Sequence, residues 1–185
     1  MSKLSDVMAS KIGSKIFTGV SLAVAASVII AFSIPSYRQG EPGIAGKRAD
    51  DFSLTLNGRP AHLSDFRGKV VVLNFWFSTC PACVQEIDSL NALQNKIAAR
   101  GGTILGVSVD ENRVDCDKFL SAHNVPFPNF WDPSKKIAEG YGTQLYPETY
   151  IIGTDGRIER KIGGGQDWNS PELVSYVESL LPNGK

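Results

Sequence analysis

The sequence predicts an α/β domain in which helices flank a mixed central β-sheet, with a β-hairpin extension at its N-terminal side and a single N-terminal transmembrane helix ahead of it. Three observations carry this reading. A β-branched run at 70–75, VVVLNF, is followed by a long helical pattern and a second apolar strand, the order of a parallel strand–helix–strand unit. Two later strands, 148–152 and 157–162, are joined through Gly153-Thr154-Asp155-Gly156 as a hairpin, so the sheet must be mixed. An uncharged stretch from 16 to 37 precedes everything else.

At 185 residues, with 42% hydrophobic and 21% charged side chains, the chain has room for one ordinary domain plus an appendage. Nineteen basic residues balance nineteen acidic ones, which removes the electrostatic case for a nucleic-acid partner. Three cysteines are too few for a disulfide-stapled scaffold, and two of them form C-x-x-C. They read as chemistry.

The segment IFTGVSLAVAASVIIAFSI at 16–34 is apolar on every helical face. A helix of that length reaches about 30 Å, the thickness of a bilayer's hydrocarbon core. A cleaved signal peptide is the competing reading, but such peptides have an apolar core of about 7–15 residues. The Ala23-Val24-Ala25 match to a cleavage site lies inside the apolar run. The expected organisation is a cytoplasmic segment at 1–15, an anchor at 16–37, a linker at 38–45 and the folded domain at 46–185. Lys11 and Lys15 against Arg38 lean weakly towards the N-terminus inside. A dithiol domain on one anchor belongs where disulfides form, outside a bacterial-type cytoplasmic membrane.

Within the domain, the alternating strand at 52–56 meets Asn57-Gly58, a strong type I′ hairpin signal. Residues 63–68 read as a short turn or helix before the 70–75 strand. From 81 to 100, Val84, Ile87, Leu90, Leu93 and Ile97 recur at helical spacing, and Gly101-Gly102 stops the helix. A strand at 103–109 and helices at 113–123 and 135–141 follow. Ser170-Pro171-Glu172 supplies an N-cap, a first-position proline and an acid for a last helix ending near Leu181.

Cys80 falls where the buried strand hands over to the long helix, and Pro81 takes the first helical position. Free N–H groups and the positive end of the helix dipole there favour thiolate over thiol. Cys83 lies one turn on along the same face, within reach of a disulfide and expected to be the more buried sulfur. An exposed, activated sulfur beside a shielded one suits two-step thiol–disulfide exchange. A zinc site would need four ligands, and only Cys116, His62 and His123 remain, far apart in sequence. Cys116, between Asp115 and Asp117, reads as an unreactive surface or semi-buried thiol. Neither histidine is assigned a catalytic part.

The stretch VVLNFWFSTCPACVQEIDSL from 71 to 90, then Val125-Pro126-Phe127-Pro128, Tyr141-Gly142 and YPETYIIGTDG at 146–156, resembles the membrane-anchored TlpA/ResA-like thioredoxin proteins over roughly 46–181. The resemblance implies a thioredoxin-like fold and a thiol–disulfide oxidoreductase whose redox group is the Cys80–Cys83 pair itself, with no bound cofactor. It implies that Pro147 is a cis-proline facing the dithiol and that Tyr146 offers backbone to a substrate strand. Glu86 matches an acid that this family keeps near its active site; on the helix it shares the face of Cys83 and could relay the thiol proton, or be an ordinary solvated glutamate. Asn74 stands where ordinary thioredoxins carry a buried aspartate. Trp76 reads as packing beside the site and touching substrate, or as a plain core aromatic. Two positions depart from the family: Thr79 replaces the usual tryptophan, and Pro81-Ala82 replaces a pair ending in proline.

By this resemblance the activity is reduction of protein disulfides on the extracytoplasmic side, with apocytochrome c or other secreted thiol proteins as substrates. No flavin or nicotinamide motif is present, so a membrane electron-donor protein would reset the dithiol. The competing readings are an oxidant running the exchange backwards, a thiol peroxidase, and a copper chaperone. Peroxiredoxins place Thr or Ser where this chain has Phe77, and the chaperones separate their cysteines by three residues.

Overall fold

A computed structural model describes residues 43–56 and 59–182. The expected 1–15 segment, the 16–37 anchor, most of the 38–45 linker and the Asn57-Gly58 turn lie outside the described residues. Among the described residues no helix is long and apolar enough to cross a membrane.

Strands β1 (Ser53–Leu56) and β2 (Arg59–His62) pair antiparallel, Leu56 opposite Arg59, giving the expected hairpin. A 3-10 turn at Leu63–Phe66 leads into β3 (Val70–Trp76). The long helix α1 (Pro81–Ile97) then crosses to β4 (Gly102–Ser108). Helix α2 (Arg113–Ala122), strand β5 (Asn129–Trp131) and the short α3 (Lys136–Gly140) follow. The chain closes with β6 (Glu148–Ile152), β7 (Ile158–Gly163) and α4 (Pro171–Leu180).

The main sheet has the order β5-β4-β3-β6-β7, with β3 parallel to β4 and antiparallel to β6. All seven residues of β3 are buried, because this strand has a neighbour on each side and cover on both faces. Val71, Leu73 and Phe75 point into a cluster with Leu54 of the hairpin, Leu63, Ala138 of α3, Tyr141 and Tyr150. The opposite face of β3 meets α1, whose buried stripe is Cys83, Glu86, Ile87, Leu90, Leu93 and Ile97. Lys96 of α1 donates to Asn169 just ahead of α4, and Arg100, three residues beyond α1, pairs with Glu178 of α4. Helices thus cover both faces, and the dithiol end of α1 is fixed by the strand that feeds it.

Two elements differ from the sequence reading. Helix α1 stops at Ile97 and tightens into a 3-10 turn at Ala98–Arg100 before Gly101, whose φ of +84° is open to glycine at little cost. Strand β5 was not expected: three residues after Pro126 and Pro128 are too few to show alternation. It is fixed by pairing with β4, Gly106 opposite Asn129. Gly106 has a reason to be glycine, since a Cβ there would sit 1.9 Å from the Asn129 side-chain oxygen.

Candidate active site

Beyond Trp76 the chain turns through Phe77–Thr79 and enters α1 with Cys80 as its N-cap, at φ −78° and ψ 113°. Cys80 Sγ accepts the Cys83 backbone N–H at 3.2 Å, and the Cys80 carbonyl accepts the Val84 N–H at 3.1 Å. The sulfur therefore satisfies one of the donors that a helix start leaves free, and Pro81 removes another. Upstream, the Asp110 carboxylate holds the turn by accepting the Ser78 backbone N–H at 3.0 Å and the Ser78 hydroxyl at 2.7 Å.

Cys80 and Cys83 are joined as a disulfide, with Cα atoms 5.2 Å apart. The expected contrast between an exposed and a shielded sulfur is not present here: Cys80 is 3% exposed and Cys83 2%. The ring is closed, and Cys80 Sγ lies only 3.6 Å from the carbonyl oxygen of Tyr146, which helps to cover it.

That carbonyl belongs to a cis Tyr146–Pro147 bond, so the structure brings Tyr146 and Pro147 up to the dithiol. Pro147 is buried, and its carbonyl accepts the Gly164 N–H at 2.8 Å. Tyr146 is half-buried, its ring edge against Phe77 at 5.6 Å, and burial pushes its phenol up from the ordinary value. Leu145, which precedes it, is 71% exposed.

Glu86 sits one turn beyond Cys83 on α1 and is 2% exposed, which removes the solvated reading. Its Oε1 accepts from Asn74 Nδ2 at 2.9 Å; its Oε2 accepts from the Gln166 N–H and from Trp168 Nε1, both at 3.1 Å. Burial raises the Glu86 carboxyl above the ordinary carboxylate range, against the pull of these donors. Asn74 also donates to Thr149 Oγ1 at 2.9 Å, tying the site to β6.

The residue after Pro147 begins a second buried polar group. Glu148 Oε1 lies 3.2 Å from Lys161 Nζ across the β6–β7 pair, with the side chains 8% and 9% exposed. The Tyr150 hydroxyl donates to the Tyr141 carbonyl at 2.7 Å and lies 3.2 Å from Glu148 Oε2, and Lys161 Nζ stands 5.5 Å from the centre of the Tyr150 ring.

Of the two readings open for Trp76, a substrate contact or a plain core aromatic, its surroundings match the second. Its indole N–H donates to Asn129 Oδ1 at 3.0 Å, its ring tilts on Phe119 at 4.6 Å, and it is 3% exposed. A side chain so enclosed packs α2 and β5 onto β3 and offers no face to a bound chain. Cys116 is buried, not at the surface, and burial raises its thiol above the ordinary value, with Asp110 and Asp117 adding to the effect. His62 precedes the 3-10 turn, and His123 ends α2 with its ring on Phe119.

Sequence reasoning missed Trp168, Asp110 and Lys161. The available signal for the first was the run Gly163-Gly164-Gly165, which marks a backbone approaching another closely. A Cβ on Gly165 would lie 3.0 Å from the carbonyl oxygen of Ala82, between the two cysteines.

Residues 45–161 match the model of the AhpC/TSA family. The chain is 32% identical over 138 residues to the thiol-disulfide oxidoreductase ResA of Bacillus thuringiensis, covering 74% of this chain and 79% of that one. It is 33% identical to ResA of Geobacillus thermodenitrificans, covering 74% and 78%. Among solved structures, the thioredoxin domain of a thiol-disulfide oxidoreductase from Bacteroides vulgatus superposes with a TM-score of 0.65 at 28% identity, over 75% of this chain and 98% of that one. A secreted Mycobacterium tuberculosis disulfide oxidoreductase, homologous to DsbE of E. coli, gives 0.59 at 26% identity, over 70% and 96%.

Proposed function

Because this chain belongs to the AhpC/TSA family and is a thioredoxin-like thiol–disulfide oxidoreductase of the ResA type, we propose that it reduces disulfides in extracytoplasmic proteins, apocytochrome c among them. The observation that carries this reading is the Cys80–Cys83 pair at the head of α1, facing the Tyr146 carbonyl. In the reduced protein, Cys80 thiolate attacks one sulfur of a substrate disulfide and expels the other as thiolate, giving a mixed disulfide. Cys83, deprotonated, attacks Cys80 Sγ. The second substrate thiolate leaves, and the two electrons it carries away leave Cys80–Cys83 oxidised, as in this structure.

Glu86, one turn beyond Cys83, acts as the acceptor of the Cys83 proton in that second step. Tyr146 and Pro147 align the substrate strand through the Tyr146 backbone. The remaining parts of the proposal concern setting: a 1–15 cytoplasmic segment, a 16–37 single-pass anchor in the cytoplasmic membrane, a 38–45 linker and a 46–185 domain on the periplasmic or other outer side. A membrane electron-donor protein returns the pair to the dithiol by a second exchange. The peroxidase alternative gains nothing from the geometry: Phe77, where peroxiredoxins carry the Thr or Ser three residues before their peroxide-attacking cysteine, packs its ring on Tyr146.

The test of direction is the reduction potential of the Cys80–Cys83 couple in the full chain, measured against glutathione or dithiothreitol buffers. A reductant should lie near about −270 mV or below, whereas a couple near about −120 mV marks an oxidant. The latter value ends the reductase proposal.

A further inference from the structure

Glu86 is wholly enclosed, and the last contributor to its enclosure is the segment between β7 and α4. Gly164, at φ +80°, turns the chain, and Gly165 lets the backbone close onto Ala82 between the cysteines. Gln166 then presents its N–H, and Trp168, 0% exposed, presents its indole N–H, to the same oxygen of Glu86. The backbone of Trp168 is itself fixed by Ser89 Oγ of α1, which accepts the Trp168 N–H at 3.0 Å. Such a tethered donor has little freedom to turn away.

We infer that Trp168 is a positioning residue of the exchange reaction: its indole N–H holds the Glu86 carboxylate in place and sets the pH at which Glu86 takes up and releases its proton. This rests on the reading of Glu86 as proton acceptor for Cys83. The groups that face Glu86 make the indole matter. Asn74 from β3 is a neutral donor, and Thr149 from β6 accepts from the same Asn74 amide. From the covering segment come the Gln166 N–H and the Trp168 indole, while Asp167 is exposed and accepts the Asn169 N–H. On α1 itself, Cys83 lies one turn earlier and Asp88 is exposed. Glu86 is thus held by neutral donors, and each one removed favours its protonated form.

The experiment compares the pH dependence of disulfide reduction in the full chain, Trp168→Phe, Glu86→Gln and the double variant. In Trp168→Phe, which keeps the ring and loses the donor, the rising limb should move to higher pH, so that the rate on that limb falls about tenfold, the equivalent of one pH unit. Trp168→Phe should add no further displacement in the Glu86→Gln background. If Glu86→Gln leaves the profile unchanged, the proton-relay reading fails and takes this inference with it. If Glu86→Gln alters the profile and Trp168→Phe does not, only the assignment to Trp168 is overturned. Should Trp168→Phe not fold, the unmodified chain decides. The Trp168 indole N–H resonance in a nitrogen–proton NMR titration should move with Glu86, and should be flat in Glu86→Gln. A flat resonance in the unmodified protein overturns the inference.

Discussion

Cys80→Ser is expected to reduce protein-disulfide reductase activity to background, whereas Cys83→Ser is expected to stop after one step with substrate attached. The asymmetry follows from where each sulfur stands. Cys80 caps α1, with the Cys83 N–H directed at its sulfur and the helix dipole behind that N–H, so it is the sulfur that benefits as an anion. Cys83 lies inside the first turn, with its own N–H given to Cys80; its task is to attack Cys80 once a mixed disulfide has formed. Serine at 80 removes the attacking atom itself. Serine at 83 leaves attack intact and deletes the resolving atom, so a covalent adduct accumulates on Cys80. Mass spectrometry of each variant incubated with a disulfide substrate reads the difference. An adduct on Cys83 in the Cys80→Ser chain, together with turnover, would reverse the assignment of the two roles.

Lys161→Met is expected to destabilise the domain by about 3–5 kcal/mol, the cost of leaving one member of a buried ion pair without its counter-charge. That is a large share of the roughly 5–15 kcal/mol by which a domain is stable. Glu148 of β6 and Lys161 of β7 are both buried, and the Tyr150 hydroxyl lies 3.2 Å from the other Glu148 oxygen. With the ammonium gone, Glu148 would remain buried beside the Pro147 turn with too little to offset its charge. Adding Glu148→Gln should recover much of the loss, because the stranded charge causes most of it. Urea unfolding midpoints of the single and double variants measure both effects. A Lys161→Met unfolding free energy within about 0.5 kcal/mol of the unmodified chain's, the usual range for a surface change, would contradict this account. The pH sign is also fixed. Burial pulls the Lys161 pKa down, but Glu148 outweighs it and the net direction is upward. The contribution of the Lys161 charge is therefore fully present below the unfolded lysine value and is lost as alkaline pH rises through the folded one.

Residues 70–100 were readable from the sequence because the physics there is local. A buried strand has an unbroken apolar run, a helix has its period, and Cys80-Pro81 marks the junction without reference to anything distant. The same holds for α4, whose cap, proline and acid lie in three consecutive residues. The surroundings of Glu86 were not readable in that way. Its donors lie at 74, 166 and 168, and only the packed sheet brings them to one carboxylate. Strand β5 was hidden for a similar reason, since its three residues are made a strand by β4 and not by any pattern of their own. The Tyr146 carbonyl that helps to cover Cys80 comes from 66 residues away. Trp76 stayed open between site and core because proximity to the cysteines in sequence says nothing about which helix covers a side chain of β3.

The most direct measurement is the pH dependence of Cys80 alkylation by iodoacetamide in the reduced full chain, followed residue by residue. A midpoint clearly below the free-thiol value of about 8.5 is expected, because the helix start stabilises the anion. A midpoint at or above that value would mean that the head of α1 does not activate Cys80, and the mechanism built on it would not stand.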